Sequence, residues 1–340
     1  MAVTIKDVAL KAGVSTTTVS KVINNIPTIS EATSSRIRSV MKELDYHPNR
    51  RAQNFARQSS RTILYVSTLN KNIAFNNPHM FETLVGLHNA LAKKNYGLTI
   101  TSVTKENCIS LIEEIISQKI VDGIVFHVSV VSKELEKLIL KEEMPHIILG
   151  CPEHKTKLSW IDNNNALSGE MAAKYILSLG YNRIAFIGGN KNDIGSTYRF
   201  EGVLHAITQA NIYLNEDYLL FGDSSIESGV ARMKQLLALK VKPDAVICAN
   251  NYLALGALKA LQESDLRVPE DVGLITFDSY PFATTTNPTL TTVDIDVYDL
   301  GKQAGESILQ ILKKPNLKIQ SYRTLANLVY NHSTRLPQND

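Results

Sequence analysis

Over the first 45 positions apolar residues recur at three- and four-residue spacing in three short blocks. Beyond position 60 this gives way to β-rich runs alternating with longer amphipathic stretches. In the first block Ile5, Val8 and Ala9 form a helical stripe behind Thr4, and Gly13 can end the helix because glycine readily takes a left-handed backbone. Ser15 stands at an N-cap position ahead of Val19, Val22 and Ile23, the buried stripe of a second helix. Ser30 opens a third, in which Ile37, Val40, Met41 and Leu44 keep the same spacing. Three such helices close one small core and predict a headpiece over residues 1–47.

From Arg61 the β-rich runs are TILYVST, YGLTITSV, DGIVFHV, PHIILG, RIAFIGG, DAVICAN and VGLITFD. Helical spacing lies between them over Glu82 to Asn95, Leu111 to Lys119 and Ser168 to Leu179. Such alternation predicts parallel sheets built from βαβ units, and seven or more strands in two groups predict two open α/β subdomains.

The second helix of the headpiece leaves Thr16, Thr17, Ser20, Lys21 and Asn24 on its polar face. These side chains can donate to phosphates and base edges, and they are slim enough for a major groove. A helix-turn-helix presents the first residues of its second helix to the bases, which makes Thr16 and Thr17 the expected readers, with Lys21 one turn on. Thr4 and Ser15, at the two helix starts, complete the candidate DNA contacts. The plainer alternative is a solvated face on an ordinary helical hairpin. Charge favours the DNA reading: residues 1–60 hold nine Lys/Arg against four Asp/Glu, +5, whereas the remaining chain is −2 and the whole +3. Between headpiece and body, YHPNRRAQNFAR carries Pro48 and Asn49 as punctuation and then a short basic stretch.

The run TIKDVALKAGVSTTTVSKVIN, followed by YHPNRRAQNFAR, resembles the lactose-repressor/galactose-repressor family of bacterial transcription regulators. The resemblance implies a small all-α helix-turn-helix headpiece at 1–47, a hinge helix at 48–60, and an effector-binding and dimerisation domain at 61–340. The last would be a two-lobed α/β core of parallel sheets like periplasmic binding proteins of type I. Its N-lobe is expected at about 61–160 and 295–321, and its C-lobe at about 161–293 and 323–340. The chain would cross between lobes near Trp160 to Asp162, Thr292 to Asp296 and Gln320 to Thr324. By the same resemblance Asn49 and Ala52 match hinge positions. Phe55 matches an apolar wedge into the minor groove, where the family usually has leucine.

Arg199, Asn250 and Asp278 match positions that bind the effector in that family. A guanidinium and an amide that fork onto vicinal hydroxyls, beside a carboxylate that accepts from them, suit a polyol. Each could instead cap a helix or bridge loops. Other pocket positions depart from the family's well-known members. Gly150 replaces a frequent carboxylate, Asn251 stands where aspartate is usual, and Ser224 occupies a position that is aromatic in the lactose and purine repressors. A stacking plate is thereby lost, and the segment Asn70 to Met80, with Phe75 and His79, is a candidate to supply another. The expected partners are a pseudo-palindromic double-stranded operator, a second copy of the chain, and a small effector, a sugar first. Behind it stand a nucleobase and a phosphocarrier-protein corepressor.

Other chemistry finds little support. Cys108, Cys151 and Cys248 are far apart and odd in number and read as small core side chains; the histidines form no HxH or HExxH pair, so no metal is expected. Gly188-Gly189 lacks the GxGxxG spacing, no GxSxG or Walker-type loop appears, and Ser39 and Lys42 lie on the headpiece. Neither enzymatic activity nor a cofactor is expected. No cationic-then-apolar leader opens the chain and no apolar run nears the roughly 20 residues of a membrane span, so a cytoplasmic protein is expected rather than a transport solute-binding protein. The end after LVYNHSTR has no heptads, which leads to the expectation of a dimer without a tetramerising coiled coil.

Overall fold

The computed structural model describes residues 3–24, 26–47, 59–69, 78–104, 106–190, 193–279, 282–315 and 321–336. Asn49, Ala52, Phe55 and Phe75 lie outside the described residues. The chain divides into two units, residues 1–62 with 115–122, and residues 63–114 with 123–340.

In the first unit α1 (Ile5–Ala12), α2 (Thr16–Ile23) and α3 (Glu31–Glu43) close a core of Val8, Ala9, Ala12, Val19, Val22, Ile37 and Val40. These are the positions that the three- and four-residue spacing selects. α1 ends at Gly13 in the left-handed conformation, φ 65°. Ser15 and Ser30 cap the other two helices by accepting from Thr18 N–H at 3.2 Å and Thr33 N–H at 3.4 Å. At the start of α1 the Asp7 carboxylate reaches back, accepting from Thr4 N–H at 2.8 Å and from its hydroxyl at 2.7 Å. Those bonds hold the Asp7 carboxyl below its usual range. Farther on, the Asp122 carboxylate gathers Ser60 N–H at 2.6 Å, Ser60 Oγ at 2.8 Å, Arg61 N–H at 3.2 Å and the Ser59 hydroxyl.

The second unit holds two six-stranded sheets. In chain order its first half runs β1 (Thr62–Ser67), α4 (Pro78–Ala92), β2 (Gly97–Ser102), α5 (Cys108–Gln118), β3 (Gly123–His127), α6 (Lys133–Lys141), β4 (His146–Leu149), β5 (Trp160–Asn163) and α7 (Asn165–Ser178). The second half runs β6 (Ile184–Gly188), α8 (Ile194–Gln209), β7 (Leu219–Phe221), α9 (Ile226–Leu237), β8 (Ala245–Cys248), α10 (Asn251–Gln262), β9 (Gly273–Phe277), β10 (Thr291–Asp294), α11 (Val297–Lys313), β11 (Ser321–Thr324) and β12 (Asn327–Val329).

The sheet orders are β11-β5-β4-β3-β1-β2 and β12-β10-β9-β8-β6-β7. The pairs β1–β3, β3–β4, β4–β5, β5–β11, β6–β7, β6–β8, β8–β9 and β9–β10 are parallel, and β12 is an antiparallel edge on β10. Helices cover both faces of such sheets. Hence β6 and β9 are buried from end to end, and the matching sequence runs are apolar instead of alternating, save for Thr276, whose hydroxyl donates to Cys248 O at 3.1 Å.

β5 pairs with β4 and, in register Tyr322 to Ile161, with β11. The first sheet therefore extends to Asn163 and Thr324, through the crossings expected at Trp160 to Asp162 and Gln320 to Thr324. The second core gathers Phe186, Ile247, Leu274 and Phe277 from its strands with Ala172, Val203 and Leu253 from its helices. α7 and α8 approach so closely that a Cβ on Gly169 would lie 1.9 Å from Arg199 O, and one on Gly202 1.8 Å from Ala166 O. This contact fixes Arg199 beside the start of α7.

Candidate functional site

The headpiece presents one polar surface. Thr16 and Thr17 are exposed on the first turn of α2, and Ser20 and Lys21 are half-buried along its next turn, while Val19 and Val22 face the core. Ser15 does not point its hydroxyl freely: the Oγ is occupied by Thr18 N–H and lies 2.9 Å from Thr18 Oγ1. Asn24 Nδ2 donates to Ser20 O at 2.9 Å, which closes the helix end. Thr4 is likewise engaged, with Asp7. Of the residues singled out for DNA, Thr16, Thr17, Ser20 and Lys21 thus form the outward surface; Thr4, Ser15 and Asn24 hold the scaffold that presents it.

In the second unit a cavity of about 640 Å³ lies at the carboxyl ends of β3, β4 and β5 and the start of α8. Its wall includes Thr68, His127, Ser129, Asp162, Asn165 and Asp193. A position outside the carboxyl ends of parallel strands is where open α/β sheets bind ligands, and the size suits a small molecule. Gly150 also lines it, at φ 102°, and a Cβ there would meet Val128 Cγ1 at 2.6 Å. The absence of a carboxylate side chain at this position therefore follows from local packing.

Asp162 Oδ2 accepts from Cys151 N–H at 3.0 Å, and Oδ1 from Asn163 N–H at 2.7 Å. Burial pushes its carboxyl up, against those bonds and the attraction of Arg199 and Arg323. His127 Nδ1 accepts from Ser129 N–H at 3.2 Å, which assigns the ring proton to Nε2, and burial pulls its pKa down. This histidine is neutral at pH 7 and offers one N–H donor. His154 lines the cavity and pairs with Glu136 at 3.0 Å. Burial pushes the Glu136 carboxyl up, but hydrogen bonds from Lys157 N–H, Thr156 and His154 outweigh this and hold it low. Cys108 and Cys248 are buried as expected, whereas Cys151 is only half-buried and lines the cavity.

Behind this wall stands a second layer. Arg199 Nε donates to Asn165 Oδ1 at 3.0 Å and an NH1 proton to Ala249 O at 2.6 Å, and the guanidinium lies 4.5 Å from the centre of the Phe277 ring. Asp278 Oδ2 is 3.7 Å from both Arg199 and His79 Nε2. Asp278 is only 7% exposed, its backbone is left-handed at φ 68°, and its Oδ1 is buried with no hydrogen-bond partner among the described residues. Arg199, Asp278 and His79 are thus brought together. Asn250 serves as the N-cap of α10, accepting from Leu253 N–H at 2.9 Å, and Ser224 Oγ donates to Asp193 Oδ2 at 3.3 Å. Sequence reasoning missed Asp162, Asn165, Asp193 and His127. Their one visible signal is a polar residue closing or following a strand, as in WIDNNN and GIVFH.

Residues 4–49 match the model of bacterial regulatory proteins of the lacI family, and residues 173–334 match a periplasmic binding protein-like domain. The chain is 31% identical over 313 residues to the HTH-type transcriptional repressor PurR of Vibrio atlanticus (strain LGP32), covering 91% of this chain and 92% of that protein. Its structure is similar to that of a transcriptional regulator CelR in complex with cellobiose, with TM-score 0.72, 26% identity, and 97% and 99% of the two chains covered. It is also similar to that of the lac repressor dimer bound to operator and the anti-inducer ONPF, with TM-score 0.82, 24% identity and 98% and 99% covered. Among the described residues no helix is long and apolar enough to cross a membrane. With its reading helix, two-sheet core and a relative matched over nine-tenths of its length, the chain belongs to the lacI family of bacterial regulatory proteins, as a DNA-binding transcriptional repressor.

Proposed function

We propose that this repressor acts as a cytoplasmic homodimer on a pseudo-palindromic operator, and that a small polyol, a sugar, bound at the cavity sets its affinity for DNA. A two-fold protein suits two half-sites about one helical turn apart, and Thr16, Thr17, Ser20 and Lys21 supply hydroxyl and ammonium donors for them. The observation that carries the effector reading is the polar lining: Asp162, Asn165, Asp193 and the neutral His127 around one cavity, backed by Arg199 and Asp278. Among the described residues such a wall offers several fixed donors and acceptors and no phenyl or indole plate. That favours a ligand recognised through many hydroxyls over a flat nucleobase. The CelR structure, with cellobiose, is consistent with this choice.

The coupling is a linkage. A ligand that prefers one arrangement of the core shifts operator affinity by the ratio of its affinities for the two arrangements. The test is a thermal-shift screen of the full chain against sugars, polyols and nucleobases, followed by operator binding with each hit. A ligand at a hundred times its Kd adds about 2.7 kcal/mol, worth several degrees in a domain of this size. A sugar that raises Tm and changes operator affinity supports the reading. A nucleobase as the sole hit contradicts it, and silence across the panel turns attention to a phosphocarrier-protein corepressor.

A further inference from the structure

Just ahead of β1 the chain is tied down by one carboxylate. Asp122 Oδ1 accepts from Ser60 N–H at 2.6 Å and from the Ser60 hydroxyl at 2.8 Å, and Oδ2 accepts from Arg61 N–H at 3.2 Å and from the Ser59 hydroxyl. Ser60 Oγ in turn accepts from Thr62 N–H at 3.2 Å, and Asp122 N–H donates to Thr62 O at 2.9 Å. Hydrogen bonds to an ionised acceptor are the stronger kind. Within this knot Arg61 is left-handed at φ 55°, a conformation that a residue with a Cβ disfavours and that persists where its surroundings impose it. The side-chain bonds are not needed to align the sheet. β1 and β3 are already paired in parallel from Ile63 with Gly123 to Val66 with Phe126, and Ile63, Tyr65 and Val125 are buried in the first core. The carboxylate takes its donors instead from residues 59–61, which precede the strand and follow 48–58, the segment that joins them to the headpiece.

We propose that Asp122 is a positioning residue for operator recognition: it fixes the point and direction in which the chain runs back toward the headpiece, and so sets the half-site separation that a dimer accepts. The inference rests on the reading of the protein as a homodimer on an operator of two half-sites. A tether with a fixed origin holds two reading helices at one separation, where their effective concentration is high. A tether free to pivot reaches other separations and loses effective concentration at the right one. One base pair at the operator centre moves a half-site by about 3.4 Å and turns it by about 35° round the axis, so spacing is a sensitive gauge of that origin. Asp122 acts through the chain it holds and makes no contact with DNA in this account.

The probes are a palindromic duplex selected by the full parent chain from a randomised pool, versions with one base pair more or fewer at the centre, and a duplex carrying one half-site. Fluorescence anisotropy at one salt concentration gives each Kd. For the parent, a one-base-pair change should weaken binding by about tenfold or more. Asp122→Asn sets an amide N–H against donors that the carboxylate accepts. In this variant the spacing penalty should shrink to less than about threefold, with half-site Kd within about twofold of the parent. Ser60→Ala removes one of the hydroxyl bonds and should shrink the penalty partway; it carries the test if urea unfolding shows that Asp122→Asn does not fold. An undiminished spacing penalty in the folded variant overturns the inference and leaves the dimer reading in place. So does a half-site Kd that weakens in step with the full operator while the penalty stands, the mark of a merely structural role. A parent indifferent to spacing refutes the reading of two half-sites and the inference with it.

Discussion

Replacing Asp278 with asparagine isolates the charge of one carboxylate. The backbone at this position is left-handed, φ 68°, a conformation that asparagine tolerates and alanine does not, so the substitution alters charge with little change of shape. Arg199 keeps its anchors at Asn165 Oδ1, 3.0 Å, and Ala249 O, 2.6 Å, and loses only the looser contact at 3.7 Å. The fold should therefore suffer less than the about 3–5 kcal/mol that follows when a buried pair is broken outright. On the reading that a polyol in the cavity reaches past the wall to Asp278, the ligand, in contrast, loses a charged acceptor for one of its hydroxyls. Such a bond contributes about 1.5–3 kcal/mol, or a roughly 10- to 150-fold weaker Kd at 1.4 kcal/mol per tenfold. Titration calorimetry with the ligand found in the screen reads this directly. Urea unfolding and operator binding without ligand verify that the variant is folded and that its headpiece works. Ligand affinity within twofold of the parent, in a folded variant, would refute the assignment of Asp278 to the site.

Three further outcomes follow from other parts of the structure. Lys21→Ala should weaken operator binding and, where the ammonium meets phosphate, lower the slope of log K against log salt by about one; fluorescence anisotropy over a salt series measures it, and unchanged binding would misplace the reading surface. Gly169→Ala drives a methyl into Arg199 O, 1.9 Å from the ideal Cβ, so the closely packed α7 and α8 must separate at a cost of about 1–3 kcal/mol, seen as a lower urea midpoint. Stability should also fall as pH is lowered from 7.5 to 5.5. His127 and His146 are both held by burial below the ordinary value of 6.5, so the unfolded chain takes up protons first; their contribution is present above that value and is lost as pH falls toward the folded-state pKa. Urea midpoints at the two pH values test this, and a smaller drop in His127→Asn would assign part of it to that residue.

Local signals carried most of the headpiece and the second sheet. Ser15, Ser30 and Gly13 mark helix ends by chemistry that acts within four residues, and β6, β8 and β9 are buried throughout and almost wholly apolar because both faces of a central parallel strand are covered. Where a strand is short or takes its place from a distant partner, the pattern is silent. β5, WIDN, is half polar, and it takes its place in the first sheet between β4 and β11, the latter some 160 residues later. α4 begins at Pro78, ahead of the apolar spacing expected from Glu82.

The cleft behaves in the same way. Arg199 and Asp278 were identifiable by resemblance, and His79 only as part of the segment offered for a stacking plate; the structure places each of Arg199 and His79 3.7 Å from Asp278 Oδ2. Asp162 and Asp193 were not, because a carboxylate after a strand is ordinary turn chemistry until the fold places a second one opposite. Asn250 shows the converse: polar and at a strand end, it is occupied by capping α10.

The central claim is that one ligand and one operator compete or cooperate through the same chain, and reciprocity tests it most directly. Operator Kd is measured with and without saturating ligand, and ligand Kd with and without saturating operator, on the full chain at one salt concentration. The account predicts the same factor in both directions, in the range of about 5- to 150-fold. A ligand that binds tightly at the cleft and leaves operator affinity unchanged would contradict it.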